Sequence, residues 1–200
     1  MTCRLRKRHQ IIVWMIDIKL YSAGRVYMKK NIVLIGPMGV GKSAVANYLK
    51  EHKGLAIIDT DEWIEKKEGC SIQEIFSKLG ESYFRGLESA LLEELNEQNI
   101  SNTVLSCGGG MVLNPANFHL MNQIGVVVNL TATPETIYRR IKEDKNRPLL
   151  KGKLNIEGIR ALLEQRQKFS EKVSTIKIET DGKTIEEVSK ELLLVSSFTY

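Results

Sequence analysis

A parallel α/β sheet of five strands is the architecture that this 200-residue sequence predicts, and three features predict it. Short apolar, β-branched runs recur from Met28 onward, and each is followed by a stretch with helical spacing. One run, VVVNL at 126–130, is apolar at all but one position, as expected of a strand covered on both faces. A glycine-rich loop separates the first run from its helix, the strand–loop–helix unit of alternating folds.

The elements follow in order. Ile32–Ile35 is the first strand, and helix-forming sequence begins after Lys42. Residues 56–58 form the second strand. Two helical stretches come next; in the later one Phe84, Leu87, Leu91, Leu92 and Leu95 keep to one helix face. Thr103–Ser106 is the third strand and ends at Gly108-Gly109-Gly110. Asn114-Pro115 opens a helix, and strand 126–130 follows. Thr133-Pro134-Glu135 starts another helix with a capping residue and a proline in the first turn. Residues 143–155 are polar, lysine-rich and broken by Arg147-Pro148 and Gly152, the composition of a mobile loop. A helix from about Glu157, a strand at 175–178 and a last helix at Thr184-Ile185-Glu186-Glu187, with capping-box spacing, complete the pattern.

Composition narrows the function classes. The net charge of +5 resides in residues 1–27, which carry six basic side chains and one acid. Residues 28–200 hold 23 of each sign, so nucleic acid is not an expected partner of the domain. No apolar run approaches the roughly 20 residues needed to span a bilayer, so no membrane partner is expected. Cys3, Cys70 and Cys107 lack paired spacing, which points to a reducing cytoplasm rather than to disulfides or zinc. A monomer is expected.

Gly36-Pro37-Met38-Gly39-Val40-Gly41-Lys42-Ser43 fits G-x-x-x-x-G-K-[ST] between a strand and a helix. Backbone N–H groups of such a loop converge on phosphate oxygens, and the helix N-terminus adds partial positive charge. Lys42 reaches outer phosphates and the Ser43 hydroxyl suits Mg²⁺. No guanine-reading N-K-x-D segment occurs, which argues against a GTPase. Asp59 and Asp61, two apart at a strand end, are expected to leave on one side, one serving the Mg²⁺ shell and the other a substrate hydroxyl. Helix capping by Asp61 is the alternative. Arg85 and Glu88 share a helix face, and there a surface ion pair is the plain reading. Arg166 has a solvated helix face as its plain reading. Gly108–Gly110 reads as a place where a ligand approaches closely.

With those motifs in hand, the chain from Met28 onward resembles the shikimate kinases in motif order and spacing. The resemblance rests on GPMGVGKS, Asp59-Thr60-Asp61, Phe84-Arg85-Gly86-Leu87-Glu88, the three glycines, Arg147-Pro148-Leu149-Leu150 and Arg166. It implies a three-layer α/β/α P-loop kinase, strand order 2-3-1-4-5, with a lid at about 143–155. It also implies transfer of phosphate from ATP to the 3-hydroxyl of shikimate, a step toward chorismate and the aromatic amino acids. Gly39, Val40, Gly41, Lys42, Ser43, Ala44, Arg140 and Arg147 would bind ATP, with Arg140 beside the adenine and Arg147 on the lid. Asp61 would hold substrate hydroxyls, Arg85 and Arg166 the substrate carboxylate, with Glu88 orienting Arg85 and Gly108, Gly109 and Gly110 lining the pocket. Lys42, Asp61 and Arg147 would carry catalysis, and Ser43 and Asp59 would serve Mg²⁺.

The chain also departs from the family. Arg166-Gln167-Lys168-Phe169-Ser170 stands where R-x-P-x-Y is usual, and Ala44 stands where a second hydroxyl is common. The family normally begins near Met28, so residues 1–27 are expected to lie outside the catalytic domain of 28–200. Rival readings are a gluconokinase-like enzyme, a nucleotide-binding module without catalysis, or a kinase that the extension brings to nucleic acid or a membrane.

Overall fold

The computed structural model describes residues 31–143 and 155–195. Five strands form one parallel sheet in the order β2-β3-β1-β4-β5: β1 Ile32–Ile35, β2 Ala56–Asp59, β3 Thr103–Ser106, β4 Val126–Thr131 and β5 Ile176–Glu179. The helices between them are α1 Lys42–Lys53, α2 Thr60–Glu68, α3 Ile72–Glu97, α4 Ala116–Ile124, α5 Pro134–Glu143, α6 Ile156–Val173 and α7 Ile185–Val195. The predicted five-strand parallel sheet and its order are therefore observed, with strand ends shifted by a residue.

Alternation along β1 builds both layers. Val33 and Ile35 face a core shared with α2, α3, α4 and α6, while Ile32 and Leu34 face a second core shared with α1 and α7. All four are sealed from solvent, and each contributes about 1.5–3 kcal/mol by leaving water. Asn31 fastens the start of β1 to its neighbours. Its Nδ2 donates to Ile100 O and Ile124 O, and its Oδ1 accepts from Thr103 N. In register, β2 and β3 end side by side at Asp59 and Ser106 and β1 ends one residue beyond, so the loops after β1, β2 and β3 meet at one edge, the place where open parallel sheets hold ligands.

α3 is broken once. Gly80 has φ 84° and ψ 168°, outside helical geometry, so the element is two helical runs meeting at a bend. Its start carries a full capping box, with Ser71 Oγ accepting from Glu74 N and Glu74 Oε2 accepting from Ser71 N. The Ser71-x-x-Glu74 spacing is the sequence signal of this cap. Arg147, most of the proposed lid at 143–155 and residues 1–27 lie outside the described residues.

Candidate active site

The phosphate loop closes tightly because of Gly36. At φ +138°, it places its Cα so that any Cβ would sit 2.3 Å from Leu130 O, which excludes a side chain. α1 then starts at Lys42, and Gly41 caps it without a side chain, which leaves the amides of the first turn pointing into the loop. Lys42 Nζ donates to Gly36 O and Pro37 O at 2.8 and 3.0 Å, which holds the ammonium over the loop. Gly39, Gly41, Lys42, Ser43 and Ala44 line a cavity of about 410 Å³. Val40 does not. Its side chain is buried in the α1–α7 core, so only its backbone serves the loop.

The two aspartates divide their work differently from the expectation. β2 ends at Asp59, and α2 begins at the next residue, so strand alternation does not govern the pair. Asp59, not Asp61, is the cap: its Oδ1 accepts from Asp61 N and Glu62 N. Asp59 Oδ2 accepts from Ser106 Oγ at 3.0 Å, which ties β2 to β3. Thr60, buried, accepts from Gly108 N at 2.9 Å. Asp59 and Thr60 thus hold the strand ends together, and Asp61, in the first helical turn, faces the cavity that both aspartates line.

The three glycines answer a packing need. A Cβ on Gly108 would lie 2.5 Å from Asp61 Oδ1 and 3.3 Å from Glu88 Oε1. On Gly109 it would lie 2.9 Å from Arg166 Nη1, and on Gly110 2.3 Å from Arg85 Nη2. Each glycine gives a different charged side chain its place against bare backbone. The amide of Gly108 is itself taken by Thr60, so it is not the open donor that a pocket-lining role suggested. Ile72, Phe76, Phe84, Ser106 and Cys107 also line the cavity.

Arg85 is held from two sides. Nη1 donates to Glu88 Oε2 at 2.6 Å, while Nε and Nη2 donate to Glu81 Oε1 at 3.2 and 2.8 Å. The sequence had allowed a plain surface pair here, but Glu88 is fully buried, so this is an interior pair with an exposed third member, Glu81. Burial pushes the Glu88 carboxyl up to about 7, against the hydrogen bond and charge of Arg85, and Asp61 adds to the rise. Burial works against the Arg85 charge, yet Glu88 and Glu81 outweigh it and hold its pKa above the ordinary arginine value. Arg166 is pushed down by burial and then by the charge of Arg85. Burial also raises the Cys107 thiol, which keeps it protonated and unreactive.

The structure therefore brings together Gly39, Gly41, Lys42, Ser43, Ala44, Asp59, Asp61, Arg85, Glu88, Gly108, Gly109, Gly110, Arg140 and Arg166 around one cavity. Sequence reading missed Thr60, Ser106 and Glu81. Thr60 lay inside a quoted motif and Glu81 one turn before Arg85, but their partners are strands or turns away.

A phosphate loop heading β1 of a 2-3-1-4-5 sheet, facing a wall of carboxylates and guanidinium groups, defines the class as a P-loop kinase of small molecules. The family model described as shikimate kinase matches residues 38–196. The shikimate kinase of Caldanaerobacter subterraneus subsp. tengcongensis is 43% identical over 164 residues, which cover 82% of this chain and 94% of that protein. A solved shikimate kinase from Acinetobacter baumannii, in complex with shikimate, is similar at 36% identity and a TM-score of 0.75, covering 84% of this chain and 94% of that one. A gluconokinase from Sinorhizobium meliloti, 16% identical with a TM-score of 0.55 over 85% of this chain and 93% of that one, shares the fold alone. The chain belongs to the shikimate kinase family.

Proposed function

We propose that this protein transfers the γ-phosphoryl group of ATP to the 3-hydroxyl of shikimate, forming shikimate 3-phosphate on the way to chorismate. One observation carries the reading: three consecutive glycines seat Asp61, Arg166 and Arg85 in a single cavity whose other wall is the phosphate loop. Shikimate is a small carboxylate with ring hydroxyls. Guanidinium forks match its carboxylate, and Asp61 accepts from a hydroxyl.

Phosphoryl transfer asks the protein for position and charge rather than for covalent chemistry. Lys42 and, from the lid, Arg147 offset charge on the transferring group. Asp61 aligns the attacking oxygen and takes its proton as the new O–P bond forms and the bond to the ADP oxygen breaks. Gly39 to Ala44 hold the phosphates, and Arg85, with Glu88 behind it, and Arg166 hold the carboxylate. The residues suit Mg²⁺: the Ser43 hydroxyl and the Asp59 carboxylate are hard oxygen donors on one cavity, and Mg²⁺ keeps several waters. Ser43 and Asp59 would hold it, with Asp59 fixed in place by its hydrogen bonds from Asp61 N and Ser106 Oγ. When bound, Mg²⁺ neutralises phosphate charge.

Residues 28–200 form the catalytic domain in this reading, which works as a monomer in the cytoplasm without nucleic-acid or membrane partners. Among the described residues no helix is long and apolar enough to cross a membrane. A coupled ADP-release assay across shikimate, gluconate and nucleoside monophosphates tests the assignment. Shikimate-dependent turnover is expected, and turnover with gluconate alone would overturn it.

A further inference from the structure

Arg140, which lines the cavity, donates the N–H groups at the edge of its guanidinium to the phosphate loop and to Thr180. Nη1 donates to Val40 O at 3.0 Å and, more weakly, to Gly39 O at 3.5 Å. The same nitrogen donates to Thr180 Oγ1 at 3.0 Å, and Nη2 donates to Thr180 O at 2.9 Å. Thr180, in the turn between β5 and α7, is only 3% exposed. Its hydroxyl lies 3.3 Å from Val40 O and 3.2 Å from Thr131 O. The neighbour of Arg140 joins in: a Cβ on Gly39 would sit 2.8 Å from Ile141 Cγ1. Three parts of the chain, α5, the β5–α7 turn and the phosphate loop, thus meet on the Gly39–Val40 backbone.

From this geometry we infer that Arg140 and Thr180 are positioning residues which set the phosphate loop for its ligand. The peptide plane supplies the reason. In a trans peptide the C=O and the following N–H point in opposite directions. Holding Val40 O outward therefore turns the Gly41 N–H toward the inside of the loop, where phosphate binds. Gly41 sits at φ 109°, a conformation only glycine adopts freely, so this peptide is one that could flip. Arg140 and Thr180 lock its direction. Arginine suits the task because one planar group spans several acceptors, which a lysine ammonium on a flexible stem does not do. The inference rests on the kinase reading of the loop and extends it: the pair acts on the phosphates through the backbone, beside any contact that the face of the Arg140 guanidinium makes with the base.

Inorganic tripolyphosphate, which has no base, separates the two roles. Calorimetric titration of wild-type, Arg140→Lys and Thr180→Val proteins with ATP and with tripolyphosphate is the experiment, with shikimate titrations as the control for folding. Both variants are expected to weaken tripolyphosphate as well as ATP, roughly tenfold, as loss of a hydrogen bond to a charged group implies. Shikimate affinity should hold, and Thr180→Ser, which keeps the hydroxyl, should restore binding. Weakened ATP with unchanged tripolyphosphate would mean contact with the base and overturn the inference. Unchanged binding of both ligands would also overturn it. A wild-type protein that binds neither ligand would sink the kinase reading, and the inference with it.

Discussion

Arg85 Nη1 donates to Glu88 Oε2 at 2.6 Å, while the second Glu88 oxygen is buried with no hydrogen-bond partner among the described residues. Such a carboxyl keeps a proton longer than it would in water. Its folded pKa of about 7 stands above the ordinary 4.5, so the folded protein binds a proton that the unfolded chain has released between those values. The stability this group contributes is complete below about pH 4.5 and is lost as pH rises through about 7. The full swing is on the order of 3 kcal/mol. Denaturant unfolding of wild-type and Glu88→Gln proteins across this range should show a falling slope for the first only. Parallel profiles would remove Glu88 as the cause.

Lys42→Met should reduce phosphoryl transfer by at least about a hundredfold, the scale for losing one donor to transition-state charge. The fold should survive, because Lys42 donates to Gly36 O and Pro37 O of its own loop. Circular dichroism with the ADP-release assay checks both halves. Near-normal turnover in a folded variant would take Lys42 out of the mechanism.

Arg85→Ala and Arg166→Ala should each weaken shikimate binding by about 1.5–3 kcal/mol and leave ATP binding unchanged. They should differ in stability. Removing Arg85 deprives the buried Glu88 of its charge partner, whereas removing Arg166 relieves repulsion between two arginines. At pH 8 the Arg85 variant should therefore melt lower than the Arg166 variant. Equal melting temperatures would mean that the Arg85–Glu88 pair adds nothing to stability.

Gly36→Ala and Gly110→Ala should fail in different ways. At Gly36 the new Cβ meets a backbone carbonyl and an unsuitable φ, neither of which can move aside, so the melting temperature should fall sharply. At Gly110 it meets the end of the Arg85 side chain, which can swing away. That variant should lose much less melting temperature than Gly36→Ala, because only the Arg85–Glu88 pair is disturbed, and show a raised KM for shikimate with an unchanged KM for ATP. Loss of fold at Gly110 would show that the glycine serves the backbone instead.

A chain beginning at Met28 should keep both its turnover and its melting temperature if residues 1–27 lie outside the catalytic domain. Had the apolar run at 11–16 been part of the core, its loss would remove about 1.5–3 kcal/mol for each buried side chain. Thermal melts of the two lengths compare these outcomes directly.

Strand and helix positions, the phosphate loop and the list of charged candidates were legible in the sequence, because they depend on consecutive residues. A strand run, a capping residue and a curl of glycines around phosphate are decided by neighbours within a turn or two. Tertiary structure decided what those candidates do. It made Asp59 the cap and left Asp61 to the cavity, since the strand stops at Asp59 and a helix begins before alternation could reach Asp61. It buried Glu88 and so moved its proton, because desolvation depends on what packs around a carboxyl and not on its spacing from Arg85. It laid Arg85, Arg166 and Asp61 on three glycines of another loop, and it joined Arg140 to a threonine 40 residues away. Such contacts form only when the strands pair in register and their loops meet at one edge. Spacing along the chain cannot report them, since the distances that set their energies run through space.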